Sequence, residues 1–347
     1  VYPCDRSGCG HYRAIFPAQA VEDQDVWIEG GLFETGVETP VTYAGVTTFR
    51  KERVGIQCDA DVAVFQRVVS HEKVRVLAQL QEQGTAVVVD VDDDLDALPT
   101  GHPYHPEALP GFGRNWLHEA CELADLVTVS TPALAERYGG HGRCVVLPNC
   151  VPERYLKLGK QPSDGKTVGW AGATTTHVND LTVCGNGIRK AVADNQARFM
   201  AIGTGKDVRR QLRLEQIETT GGWVPFYKYP ENYQVLDVAL VPLVLNSFNQ
   251  AKSWLKGMEA ASLGVPFVAS PTKPYRQLAD MGAGLLAHDP GDWRRQVNRL
   301  LTDRGFQSNI AENGRAVARE WTYEKQAWHW LEAWHLAYEN RCLRGAA

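Results

Sequence analysis

Between residues 248 and 270 the chain reads FNQAKSWLKGMEAASLGVPFVAS, with two lysines four apart and a glutamate three further on. Read as a helix from Lys252 to Leu263 closed by Gly264, the stretch puts Lys252, Lys256 and Glu259 at i, i+4 and i+7, on one face. Lys252 then falls in the first turn, where the helix dipole favours anions, so a cation there is unfavourable unless an anion joins it. Backbone N–H groups, the dipole and a lysine together make a phosphate cradle. A carboxylate two turns on accepts two hydroxyl hydrogen bonds and suits a diol such as ribose. The competing reading is a solvated helix face with a Lys256–Glu259 pair, which adds little stability.

A second stretch with chemical potential is TAVVVDVDDDLDALP, with aspartates at 90, 92, 93, 94 and 96. A buried strand delivers these carboxylates to its C-terminal end, the edge at which open α/β sheets bind ligands. Such crowding is unfavourable without cations or hydrogen-bond donors. Three readings compete: sugar or acceptor binding, turn capping, and a metal site. Alternation along the strand sends neighbours to opposite sides, so some of Asp90, Asp92, Asp93 and Asp94 are expected at the site and others in caps. His102 and His105 follow in GHPYHP. At the N-terminus, CDRSGCGHYRAIFPAQA reads as a short strand, a glycine turn through Gly10 and a helix bearing Arg13.

The elements that must position these groups follow from the pattern of apolar runs. VRVLAQL, TAVVVDV, LVTVS, CVVLPN, TVGWAGA, RFMAIG, VALVPLV and PFVAS alternate with amphipathic stretches, the signature of buried parallel strands with crossover helices. A polar segment rich in Pro and Gly, 152–166, reads as an interdomain linker. Thr131 and Pro132 read as a cap and first helical position. The closing stretch TYEKQAWHWLEAWHLAYENR is a helix capped by Thr322, with an aromatic stripe through Ala327, Trp330 or Leu331, Trp334 and Tyr338.

Composition sets the bounds. At 347 residues, 44% hydrophobic and 22% charged, the chain can bury about two domain cores. A net charge of −5 gives no global reason to expect nucleic-acid binding. Eight scattered cysteines without a CxxC pair point to free thiols in a reducing cytoplasm. No signal-like N-terminus and no long apolar run is visible, so a cytoplasmic protein without a transmembrane segment is expected.

The layout Asn-x-x-Lys-Ser-x-x-Lys-x-x-Glu followed by Gly-x-Pro resembles the nucleotide-sugar site of GT-B glycosyltransferases of the retaining, family-4-like kind. The resemblance implies phosphate contacts for Lys252 and Ser253, neutralisation of the leaving diphosphate by Lys252 and Lys256, and a ribose contact for Glu259. The family carries two glutamates eight apart; the upstream position here is Ala251, and Asn249 or Gln250 is expected to substitute. The turn in TVGWAGATTTHVNDL brings Gly172 and Thr174 beside the diphosphate. His177 and Asp180 are too few for a metal, and Asp180 is expected to cap a helix. Trp223 and Val224 are expected to clamp the base, with interdomain packing as the competing reading. Gly10 and Arg13 fall on the donor side, Asp90 and Asp92 take the catalytic region, and Asp93, Asp94, His102 and His105 the acceptor side.

The fold implied is α/β: two doubly wound Rossmann-like domains facing across a cleft, an acceptor-side domain over 1–157 and a donor-side domain over 158–321. A final helix from 322 crosses back to the first. The activity implied is sugar transfer from a nucleotide-diphospho-sugar, with retention and without a metal or other cofactor. The acceptor is open among a glycan, a protein and a modified nucleobase. The DVDDDL pattern resembles phage and bacterial glycosyltransferases. A nucleotide-sugar 2-epimerase and a non-catalytic binding module derived from a transferase are the competing functions.

Overall fold

In a computed structural model, residues 1–345 are described other than 22–25, 30–31, 44–45, 110–112, 164–165, 204–206 and 223–224; for 32–43 and 46–57 the backbone alone is described. Trp223 and Val224 therefore lie outside the described residues. The strands are β1 (Leu32–Tyr43), β2 (Val46–Cys58), β3 (Val62–Gln66), β4 (Ala86–Val91), β5 (Leu126–Val129), β6 (Cys144–Val146), β7 (Thr167–Ala171), β8 (Arg198–Ile202), β9 (Glu218–Thr219), β10 (Val238–Val241), β11 (Phe267–Ala269) and β12 (Leu285–Leu286).

The chain divides into two compact units, one formed by 1–92, 113–147 and 327–347, the other by 93–112 and 148–326. The linear reading places 93–112 in the first domain, whereas these residues pack with the second unit.

The first unit holds a parallel sheet in the order β3-β4-β5-β6. Tyr2 extends it by a parallel bridge to Phe65. β4 is buried along its whole length, as its unbroken valine run requires. The run Val74–Leu80, expected as strand, is instead helical: Val74, Leu77 and Leu80 are buried on one face of the helix His71–Glu82, which Ser70 caps. Thr131 caps the helix Pro132–Tyr138 as expected. β1 and β2 form an antiparallel hairpin that the sequence reading did not contain.

The final helix Tyr323–Gly345 begins after Thr322, whose hydroxyl accepts from Lys325 N–H. Its buried face runs through Ala327, Trp330, Trp334 and Ala337, while Tyr338 is exposed. From residue 327 it belongs to the first unit, tied there by the fully buried Asp125. That carboxylate takes the Arg344 guanidinium at 3.2 Å, Gln81 at 2.8 Å and Val87 N–H at 2.9 Å.

The second unit has six parallel strands in the order β12-β11-β10-β7-β8-β9. Its first strand, β7, lies between the second and the fourth, so chain direction across the sheet reverses between β7 and β10. In doubly wound sheets that switch point, at the carboxyl edge, is where ligands bind. The expected linker contains a helix, Glu153–Leu158. Its end is fastened where Asp237 accepts from Lys160, Ser163 and Thr167 N–H. Among the described residues no helix is long and apolar enough to cross a membrane.

Candidate nucleotide-sugar site

The carboxyl end of β7 runs into Gly172, whose φ of +154° and crowded surroundings leave no room for a side chain. A Cβ there would lie 2.8 Å from Lys256 Nζ and 2.9 Å from the Trp170 ring. The turn continues through Thr174, half-buried, to His177 and Asp180. Asp180 caps no helix; the short helix Asp180–Cys184 has Asn179 at its cap position. The buried carboxylate joins β7 to β10, accepting from Val244 N–H at 2.9 Å, Asn249 Nδ2 at 2.7 Å and His177 Nδ1 at 2.9 Å. Burial, with the Lys256 charge behind it, lowers the His177 pKa to about 4, against the Asp180 hydrogen bond. The ring is neutral at pH 7 and keeps Nε2 as an acceptor.

The lysine segment differs from the expected single helix. Ser247–Gln250 forms one short turn capped by Asn246, and the helix proper is Leu255–Ser262. Lys252 therefore precedes the helix, and the i, i+4 argument holds only for Lys256 onward. Tertiary folding still gathers the two cations. Lys256 Nζ donates to the Ala171 carbonyl and stands 5.4 Å from the Trp170 ring centroid. Lys252 Nζ sits 4.2 Å over the Phe248 ring and 3.2 Å from Asp93 Oδ1. Burial lowers the Lys256 pKa to about 8, opposed by the Glu259 charge and reinforced by Lys252. At the helix start, the Gly257 N–H is taken by the Trp254 carbonyl at 3.0 Å.

Glu259 is buried, which overturns the solvated-face reading; the Tyr233 hydroxyl approaches it at 3.5 Å. Ser253 Oγ accepts from Asn149 Nδ2 at 2.8 Å, and Trp254 Nε1 donates to the Asn149 carbonyl at 2.8 Å. Asn149 is thus a support of Ser253 that the lysine motif did not reveal. Its signal was the Pro148-Asn149 pair at the end of CVVLPN. Asn249 Nδ2 donates to Asp180 and to the Val244 carbonyl and so fixes the β7–β10 link, while its buried Oδ1 has no hydrogen-bond partner among the described residues.

The acidic run resolves into separate structural duties. Asp90, expected in catalysis, is 2% exposed and held by both Arg13 guanidinium nitrogens at 3.0 and 2.7 Å and by the Thr128 hydroxyl at 2.7 Å. Arg13, expected on the donor side, is committed to Asp90 and the Leu147 carbonyl. Gly10 admits no ligand either, since the space a Cβ would need is filled by the Asp5 carbonyl. Asp92 pairs with Arg67 at 2.6 Å, and Arg67 adopts a left-handed backbone with φ +52°. Asp94 is buried and caps the turn Leu95–Ala97 through Asp96 N–H. His102 is buried, 5.6 Å from the Phe248 ring centroid, with Nδ1 accepting the Tyr104 N–H. His105 Nδ1 likewise accepts from Glu107 N–H. These local bonds build the turns between Asp94 and Glu107. Of the run, Asp93 pairs with Lys252 of the lysine segment. Among the described residues no three metal-ligating side chains converge.

Residues 165–303 match the family Glycosyl transferases group 1. Curated relatives include D-inositol 3-phosphate glycosyltransferases of Salinispora arenicola, 30% identical over 30% of this chain and 23% of the relative, and of Corynebacterium jeikeium, 31% identical over 31% and 24%. The chain spans about a quarter of the length of these relatives. Similar solved structures include Anabaena HepE in complex with UDP-glucose, with a TM-score of 0.56 at 16% identity over 79% of both chains. Another is TarM, with a TM-score of 0.56 at 15% identity over 79% of this chain and 54% of that one. These likenesses establish the GT-B fold expected from the sequence.

Proposed function

We propose that this chain, a GT-B fold whose second unit carries a group 1 glycosyltransferase domain, transfers a sugar from a nucleotide-diphospho-sugar, with retention. The observation that carries the reading is the convergence at the β7–β10 switch point. Lys256 is packed between the Trp170 ring, the Ala171 carbonyl and Gly172, with Lys252 beside it. Two ammonium groups in a partly desolvated recess match a diphosphate, whose charge grows as the sugar bond breaks; fixed cations there stabilise the transition state more than the ground state. Ser253, oriented by Asn149, offers its hydroxyl to the same phosphates, and Glu259 suits the ribose diol. The lysines take the place a divalent metal would otherwise fill. HepE binds UDP and UDP-glucose, so UDP-sugars are the first donors to test.

Calorimetry with UDP, GDP and ADP tests the site. Lys256→Ala is expected to weaken binding of the preferred diphosphate by about 1.5–3 kcal/mol, the range for hydrogen bonds to charged groups. Gly172→Ala should act in the same direction, because its methyl displaces Lys256. Unchanged affinity in both overturns the site. Product analysis after chelation separates transfer or hydrolysis from epimer formation and from binding without turnover, and loss of turnover on chelation overturns metal independence.

A further inference from the structure

We infer that Asp93 is the residue that recognises the transferred sugar, accepting its hydroxyl hydrogen bonds beside Lys252. The inference rests on the donor reading above and adds a specificity residue to it. Asp93 Oδ1 lies 3.2 Å from Lys252 Nζ, and its side chain remains 24% accessible, whereas the neighbouring Asp90 and Asp94 are closed off at 2% and 4%. The position is fixed by the second unit itself. Lys252 lies over Phe248, Phe248 meets His102, and 93–112 packs against the same turn.

A phosphate drawn to Lys252 would bring a second anion next to the Asp93 carboxylate. Two anions at that separation repel unless hydrogen-bond donors stand between them. In a nucleotide-sugar, the group bonded to the terminal phosphate is a ring bearing hydroxyls on adjacent carbons, which supplies those donors. Beside it, Ala251 and Phe248 bring only apolar side chains, while Asn249 fixes Asp180 and the Val244 carbonyl through Nδ2 and keeps a buried Oδ1 that is unpartnered among the described residues. Asp93, the charged acceptor paired with Lys252, is thus assigned to the donor sugar and not to the acceptor.

The test compares Asp93→Asn and Asp93→Ser with the unaltered protein by calorimetry and by turnover. The probes are free UDP, GDP and ADP and the glucose, galactose and N-acetylglucosamine forms of whichever diphosphate binds. Expected are free-diphosphate affinity unchanged or a few-fold tighter, turnover lower by at least about tenfold, and a flattened preference among the sugars. The melting temperature, followed in parallel, should stay close to that of the unaltered protein. Full turnover with an intact sugar preference in either variant overturns the assignment. Tighter diphosphate binding with turnover retained would make Asp93 a latch on Lys252 and not a sugar ligand. If the unaltered protein binds none of the three diphosphates, the donor reading itself fails, and this assignment with it.

Discussion

The acidic run after β4 and the lysine segment after β10 both leave the carboxyl end of a buried parallel strand, and both crowd like charges into a few residues. Their fates differ. Three carboxylates of the run are matched within the fold, Asp90 by Arg13, Asp92 by Arg67 and Asp94 by the turn it caps, while Asp93 pairs with Lys252. The lysines are left less well matched. Lys256 is desolvated and also feels Lys252, which lowers its pKa to about 8. A charge cluster that the fold neutralises is structure. A cluster that the fold leaves electrostatically short of counter-charge is prepared for a ligand that supplies it.

The comparison breaks most sharply at Arg13. If Asp90 is structural, Arg13→Ala leaves a buried carboxylate without its cation, and denaturant unfolding should show a loss of about 3–5 kcal/mol. The double variant Arg13→Met with Asp90→Leu should recover most of it. A stable but inactive Arg13→Ala protein would return the pair to the chemistry.

At the lysine segment the sign is reversed. A lysine whose pKa is lowered to about 8 is neutral above that pH, so diphosphate binding there must take up a proton. Affinity should hold below pH 8 and fall as pH rises through it, by up to about tenfold per unit, or about 1.4 kcal/mol. Calorimetry at pH 7 and pH 9 checks this, and Lys256→Met should flatten the profile. The same variant removes a poorly solvated cation, so its melting temperature should rise.

The smallest effect is expected at Asp94. Asp94→Ala removes one cap and should cost about 1 kcal/mol in thermal unfolding while leaving diphosphate affinity intact. A loss of affinity with no change in stability would move Asp94 from the turn to the site.

Strand identity was legible wherever β-rich apolar runs were short and bounded, as in β4, β7 and β10. It failed at Val74–Leu80, where the 3- and 4-residue spacing of buried side chains outweighed the β-branched composition. The lysines, Ser253 and Glu259 were legible because one contiguous motif names them, and Gly172 because it closes a strand-and-turn motif. Asp93 was legible as a candidate but its pairing with Lys252 was not, nor was that of Asn149 with Ser253, because each meets its partner across more than 100 residues of sequence. Arg67 gave no signal, since its pairing depends on β3 and β4 lying side by side.

By itself the sequence determined the α/β class, through its alternation of short apolar runs and amphipathic stretches, and the segment that carries the cations. The GT-B fold followed from the resemblance of that segment to a known family. Only the tertiary structure decided which charges are free to act. Neutralisation is a contact between distant residues, and a carboxylate paired with a buried arginine is the same letter in the sequence as one left facing a lysine.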